Sequence, residues 1–154
     1  MAYTIFKFLH VAGAIFWVGG VSTLTILTAR LARDSAGGAE VQAALTRRSA
    51  EVGRLVIGPA ALVTLAAGMA AAVVGGISLG TFWITWGFTG IIVSMGLVGT
   101  VGRRSANALE AALAEPATPA ARVSALRGRL NGLNLLNLAI LLSVVGAMVF
   151  KPTM

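Results

Sequence analysis

Four uninterrupted apolar stretches limit this chain more than any other feature. They run over residues 3–29, 55–77, 82–102 and 130–150. A hydrocarbon core ~30 Å thick takes roughly 20 apolar residues to cross as a helix. No water is available there, so every backbone N–H and C=O must bond within the protein. Continuous stretches achieve this as helices, whereas a transmembrane barrel needs short segments of alternating polarity. The expected fold is therefore all-α: an integral membrane four-helix bundle, with residues 1–154 as a single transmembrane domain.

Composition points the same way. The chain is 57% hydrophobic and 11% charged, against about 25% charged in soluble domains. In water, much of that apolar surface would stay exposed and drive aggregation. The first stretch is expected to be retained rather than cleaved as a signal. It is long for a signal core, and its basic residues, Arg30 and Arg33, follow it instead of preceding it.

Charge placement predicts topology. Arg30, Arg33, Arg47, Arg48 and Arg54 lie between the first two stretches, and Arg103, Arg104, Arg122, Arg127 and Arg129 between the last two. The connection Ser78–Thr81 is uncharged, and the ends carry only Lys7 and Lys151. The positive-inside rule puts both long connections in the cytoplasm and both termini outside, in a bacterial inner membrane. The net charge of +7 then reads as an orientation signal and a contact to membrane lipids. No nucleic-acid motif accompanies it.

The connections themselves look helical. Asp34 to Gly38 reads as a turn. Val41, Leu45, Val52 and Leu55 then share a stripe, so the second helix should start near Glu40. Pro116 breaks the second connection. Thr118 reads as an N-cap with Pro119 at the first helical position, giving a last helix from Pro119 to Phe150. The bundle is thus expected to carry cytoplasmic helical extensions. Pro59, one turn inside its apolar stretch, predicts a kink or a loosened helix start. The short turn at Ser78–Thr81 predicts a tight hairpin, with Phe82, Trp83, Trp86 and Phe88 at the membrane interface.

Lipid tails are as apolar as leucine, so membrane helices associate through small residues and polar contacts. Ala61, Gly68, Ala72 and Gly75 form one such stripe. Gly87, Gly90, Gly96, Gly99 and Gly102 are spaced so that several share a face, and the first helix offers Gly13, Ala14, Gly19 and Gly20. Close packing accounts for these residues; a ligand needing close backbone approach is the other use of them. Asn131, Asn134 and Asn137 lie three apart near the cytoplasmic end, as interhelical polar contacts or as the wall of a polar cavity.

The chemistry open to the chain is narrow. It has no cysteine, which excludes disulfides and thiolate-held metals. One histidine excludes a multi-histidine site within a single chain. Every Asp and Glu falls in the connections, so no carboxylate relay crosses the membrane. His10 remains, about two turns into the first helix. It shares a face with Gly13, Trp17, Gly20 and Leu24. Three roles are open to it: a hydrogen bond to a neighbouring helix, ligation of a metal or haem iron, or proton handling. As a ligand of haem b, His10 would have Gly13 beside it for close approach of the macrocycle and Trp17 against its edge. Lys7 is a snorkelling anchor that lies one turn away and can meet a propionate. Met69, Met95 and Met148 are possible second ligands, although apolar packing is the usual role of such methionines.

Lys7-Phe8-Leu9-His10-Val11-Ala12-Gly13-Ala14-Ile15-Phe16-Trp17-Val18-Gly19-Gly20 resembles the first helix of several small bacterial membrane proteins. One is a family of predicted integral membrane proteins with no assigned function. Gly58-Pro59-Ala60, Gly68 and the closing Val149-Phe150-Lys151-Pro152 extend that likeness over most of the chain. The same first helix is similar to HemJ-type protoporphyrinogen oxidases and to the CopD copper-resistance membrane domain. The HemJ likeness implies that His10 ligates haem, with Trp17 and Gly20 at matching offsets. That family continues Leu-Pro-Arg where this chain reads Val21-Ser22-Thr23-Leu24-Thr25, so the likeness does not carry the oxidase activity. The further His and Met positions of the CopD type are mostly missing here.

Three functions follow as expectations. One is a haem b protein for redox or sensing, with His10, Gly13, Trp17 and Gly20 at the site. Another is a non-enzymatic membrane subunit that packs against a larger complex or a second copy of itself. The last is a permease for a small solute or metal.

Overall fold

The computed structural model describes residues 1–33 and 38–152. Six α-helices follow one another: α1 (Ala2–Arg33), α2 (Gly38–Val52), α3 (Gly58–Val74), α4 (Phe82–Gly96), α5 (Arg103–Ala114) and α6 (Ala120–Phe150). Single π-helical stretches, Gly53–Ile57 and Leu97–Gly102, join α2 to α3 and α4 to α5. The result is four continuous rods. Each is long and apolar enough to span: Ala2–Arg30, Ala43–Val74, Phe82–Ala114 and Ala120–Phe150. The all-α membrane bundle expected from the apolar stretches is the fold observed. The expected turn at Asp34–Gly37 lies outside the described residues.

The last rod has 31 residues, which at 1.5 Å each is about 46 Å of helix. The excess over the hydrocarbon thickness lies at the arginine-rich end, where α2 and α5 pack together. An Arg47–Glu110 contact of 3.6 Å links them. Both side chains are largely solvated, so the pair contributes little.

Pro59 explains the first π-helical stretch. Proline has no N–H, and its ring crowds the carbonyl four residues earlier, here that of Leu55. The helix widens just upstream of the proline, which is the loosened start expected there. Gly58 N–H donates to Gly53 O, five residues back, which is the π-helical spacing. At the start of α6 the expected cap moves by one residue: Pro119, not Thr118, occupies the N-cap.

The packing corrects one expectation. α1 packs along α3, α4 along α6, and α1 against α6, while α3 and α4 barely touch. The tight hairpin is therefore absent. Each of its two helices packs instead against another small-residue partner. α3 presents Ala61, Thr64, Ala67 and Ala72, all buried, and its glycines receive α1: Gly68 meets His10 and Gly75 meets Tyr3. α4 presents Gly87 and Gly90, which receive Met148 and Val144 of α6. The turn between them closes on Gly76 at φ +64°, a left-handed geometry that favours glycine.

A second expectation also changes. Gly96 lies nine residues from Gly87, and Gly99 nine from Gly90, which is the opposite side of a helix; both are exposed with open space beside them. The π-helical stretch at Leu97–Gly102 still packs against α6, and the two glycines face away from that contact.

Trp17, Ala61, Ile91 and Leu141 form the core. Beside it, Ser94 Oγ donates to Asn137 Oδ1 at 2.6 Å, both residues buried. Such interhelical bonds contribute about 0.6 kcal/mol on average. Of the three spaced asparagines, only Asn137 is fully buried. Phe8, Ile15, Phe16, Leu62 and Ile92 point outward, as lipid-facing side chains do.

Candidate functional site: an apolar cavity with one imidazole

A cavity of about 700 Å³ lies at the end of the bundle that holds both termini. Its volume falls in the roughly 300–1,000 Å³ range of small-molecule and cofactor sites. α1, α3, α4 and α6 all line it. The walls are mostly apolar, among them Trp17, Ile84, Phe88, Ile91, Leu141 and Val144. Its polar groups include the His10 imidazole, Thr64 and two lysines, Lys7 and Lys151.

His10 is held from α3. Its Nδ1 lies 2.7 Å from the backbone carbonyl of Thr64. A carbonyl can only accept, so Nδ1 carries the proton and donates it. In the neutral ring this leaves the lone pair on Nε2. The Thr64 hydroxyl is occupied elsewhere: it donates to Ala60 O at 2.8 Å. Gly68, one turn beyond Thr64, provides the space for the ring. A Cβ at Gly68 would stand 2.7 Å from His10 Nδ1 and 2.9 Å from Cε1.

The other residues singled out on α1 have different surroundings. Trp17 is 5% exposed, in the core and at the cavity wall. Gly13 is buried against Thr64 and Ala60, and Gly20 lies against Ile57. Neither glycine lines the cavity. Both serve the α1–α3 seam, and the space beside them is filled by protein. Met69 and Met148 line the cavity, whereas Met95 does not. The Thr64 carbonyl, Gly68, Trp83 and Lys151 escape a sequence reading of the site. Thr64 and Gly68 share one face of α3 at a spacing of four, but nothing in a single sequence pairs that face with His10.

Among the described residues no three His, Cys, Asp or Glu side chains come together as a metal site. A haem differs from a bare ion in needing only one or two protein ligands. The arrangement fits that demand. An imidazole whose remote nitrogen is free and whose near nitrogen donates to a carbonyl is how metal-bound histidines are usually held.

No curated protein and no solved structure matches the chain. Residues 4–152 match the family described as predicted integral membrane protein DUF2269. The four apolar rods agree with that description, and with nearly the whole length matched, this chain belongs to the DUF2269 family of integral membrane proteins.

Proposed function

We propose that the chain is a haem b protein of the bacterial inner membrane, with His10 Nε2 as an axial ligand and a redox or sensing role. The observation that carries this reading is the 2.7 Å contact from His10 Nδ1 to Thr64 O. It fixes the tautomer that leaves Nε2 as the donor nitrogen, inside a cavity of cofactor size. The likeness of α1 to the HemJ type supports the same role for His10. A bound haem supplies one-electron or gas-binding chemistry. The protein supplies the imidazole, the dry walls and, in Met69 or Met148, a thioether that can complete the coordination.

The test is the absorbance spectrum of protein purified in mild detergent from haem-replete cells. The wild type is expected to show a haem band that sharpens on reduction. His10→Ala should lose it while eluting at the same size. A wild type without a band returns the chain to the role of a non-enzymatic subunit. The open face at Gly96 and Gly99 would then be its contact surface with another helix.

The same proposal places the cavity on the extracytoplasmic side. The arginines gather at the opposite end of the bundle, which the positive-inside rule assigns to the cytoplasm. The chain has no cysteine, so a single introduced one reports cleanly. A membrane-impermeant maleimide is expected to label Ala2→Cys on intact spheroplasts, and Ser124→Cys only after permeabilisation. The reverse pattern would invert the topology.

A further inference from the structure

Lys7 and Lys151 have no part in the axial ligation of haem, and both line the mouth of the cavity. One stands on α1 and the other follows α6, at the end of the bundle that holds both termini. Among the described residues neither has a carboxylate partner. Glu40, Glu51, Glu110 and Glu115 all belong to the opposite, arginine-rich end. Two cations with no carboxylate partner among the described residues, beside an apolar chamber, are complementary to an amphiphile with an anionic end.

Lys151 adds an independent observation. It caps α6 in the left-handed conformation, at φ +46° and ψ +56°, and its N–H bonds back to Ala147 O. Glycine is the usual residue for that position, because a Cβ strains it. Non-glycine residues held there are enriched at functional sites. The lysine side chain is moreover directed: its ammonium sits 5.6 Å from the ring centroid of Trp83, itself a wall of the cavity. A favourable interaction of the cation with the C-terminal carbonyls of α6 would keep Lys151 there without any ligand. The test therefore has to separate ligand recognition from fold stability.

We propose that Lys7 and Lys151 form a carboxylate-binding mouth, which orients a porphyrin dicarboxylate with its acidic edge toward the termini and its macrocycle in the apolar chamber. This deepens the haem reading and rests on it. The cations select the acid over its neutral ester, and His10 plays no part in that selection. Metal-free protoporphyrin IX and its dimethyl ester probe this without iron. Binding to the protein in lipid nanodiscs is read as quenching of tryptophan fluorescence.

The wild type is expected to bind the free acid about tenfold or more tightly than the dimethyl ester, and less so in high salt, as for a charge contact. Lys7→Gln and Lys151→Gly should each reduce that preference by about threefold or more. The double variant should abolish it with the ester's affinity unchanged. Lys151→Gly removes the backbone strain, so its thermal stability should match or exceed the wild type. A loss of preference without loss of stability cannot then come from unfolding. His10→Ala should keep the preference.

Equal binding of acid and ester by the wild type, a preference that survives in the double variant, or failure to bind either porphyrin overturns the lysine mouth. If the acid preference follows the lysines but haem shows no His10-dependent band, the mouth stands and the axial-ligand reading falls. If a His10-dependent band appears with no acid preference, the reverse holds.

Discussion

On the proposed haem reading, Gly68→Ala is expected to weaken haem binding sharply while leaving the bundle folded. The added methyl would lie 2.7 Å from His10 Nδ1 and 2.9 Å from Cε1, far inside van der Waals contact. Gly68 sits in the middle of α3 and cannot rotate away, so the imidazole must move. The 2.7 Å bond to Thr64 O cannot survive a shift of this size. With it goes the control of tautomer and ring orientation. Losing such an outer partner of a ligand typically costs about 10- to 100-fold in metal affinity. Haem content per protein, measured with the reduced spectrum, should fall accordingly at limiting haem. Gly53→Ala is the matched control, since nothing lies within 4 Å of a Cβ there. Full haem occupancy in Gly68→Ala, with the band still dependent on His10, would sink the account of how the ring is held.

Gly13→Val should do more general damage. A Cβ at Gly13 meets Thr64 Oγ1 at 2.6 Å and, behind it, backbone: Ala60 O and Thr64 N, each at 3.1 Å. Side chains can turn aside, but backbone cannot, so α1 would have to lift off α3. Overpacking a tight contact costs about 1–3 kcal/mol, occasionally more, and this is the most extensive helix pair in the molecule. A marked fall in the thermal midpoint in detergent is expected. Thr64→Ala should rescue only part of it, because two of the three obstacles are main-chain atoms. Gly19→Val makes the contrast, one turn and a half along the same helix, with nothing within 4 Å of a Cβ. Equal midpoints for Gly13→Val and Gly19→Val would mean that the seam is not where the bundle draws its stability.

The four rods were legible because bilayer thickness sets a minimum length that few other folds satisfy. The helical stems were legible too, since Pro116 and the stripe from Val41 to Leu55 are local signals. Which helices touch was not. In water an apolar face marks the interior, but Phe16 and Ile92 face lipid with the same hydropathy as buried Ile91 and Leu141. Small-residue stripes mark faces that can pack without naming the partner. Gly90 receives Val144, while Gly99, half a turn round the helix from it, meets nothing. The short turn before Phe82 suggested neighbours in contact, yet chain proximity lost to better packing on either side. At the candidate site, His10 stood out as the lone imidazole. Its support came from a main-chain carbonyl, which leaves no trace in residue identity.

The sparse contact between α3 and α4 bears on what binding means for this cavity. In a membrane, a largely apolar cavity open over part of its surface is accessible to lipid tails when no ligand fills it. Any occupant enters by exchange with hydrocarbon, so its greasy surface gains almost nothing that the departing tail does not lose. Discrimination then falls to the handful of groups that lipid tails cannot match. In this molecule those include one ring nitrogen and two ammonium ions.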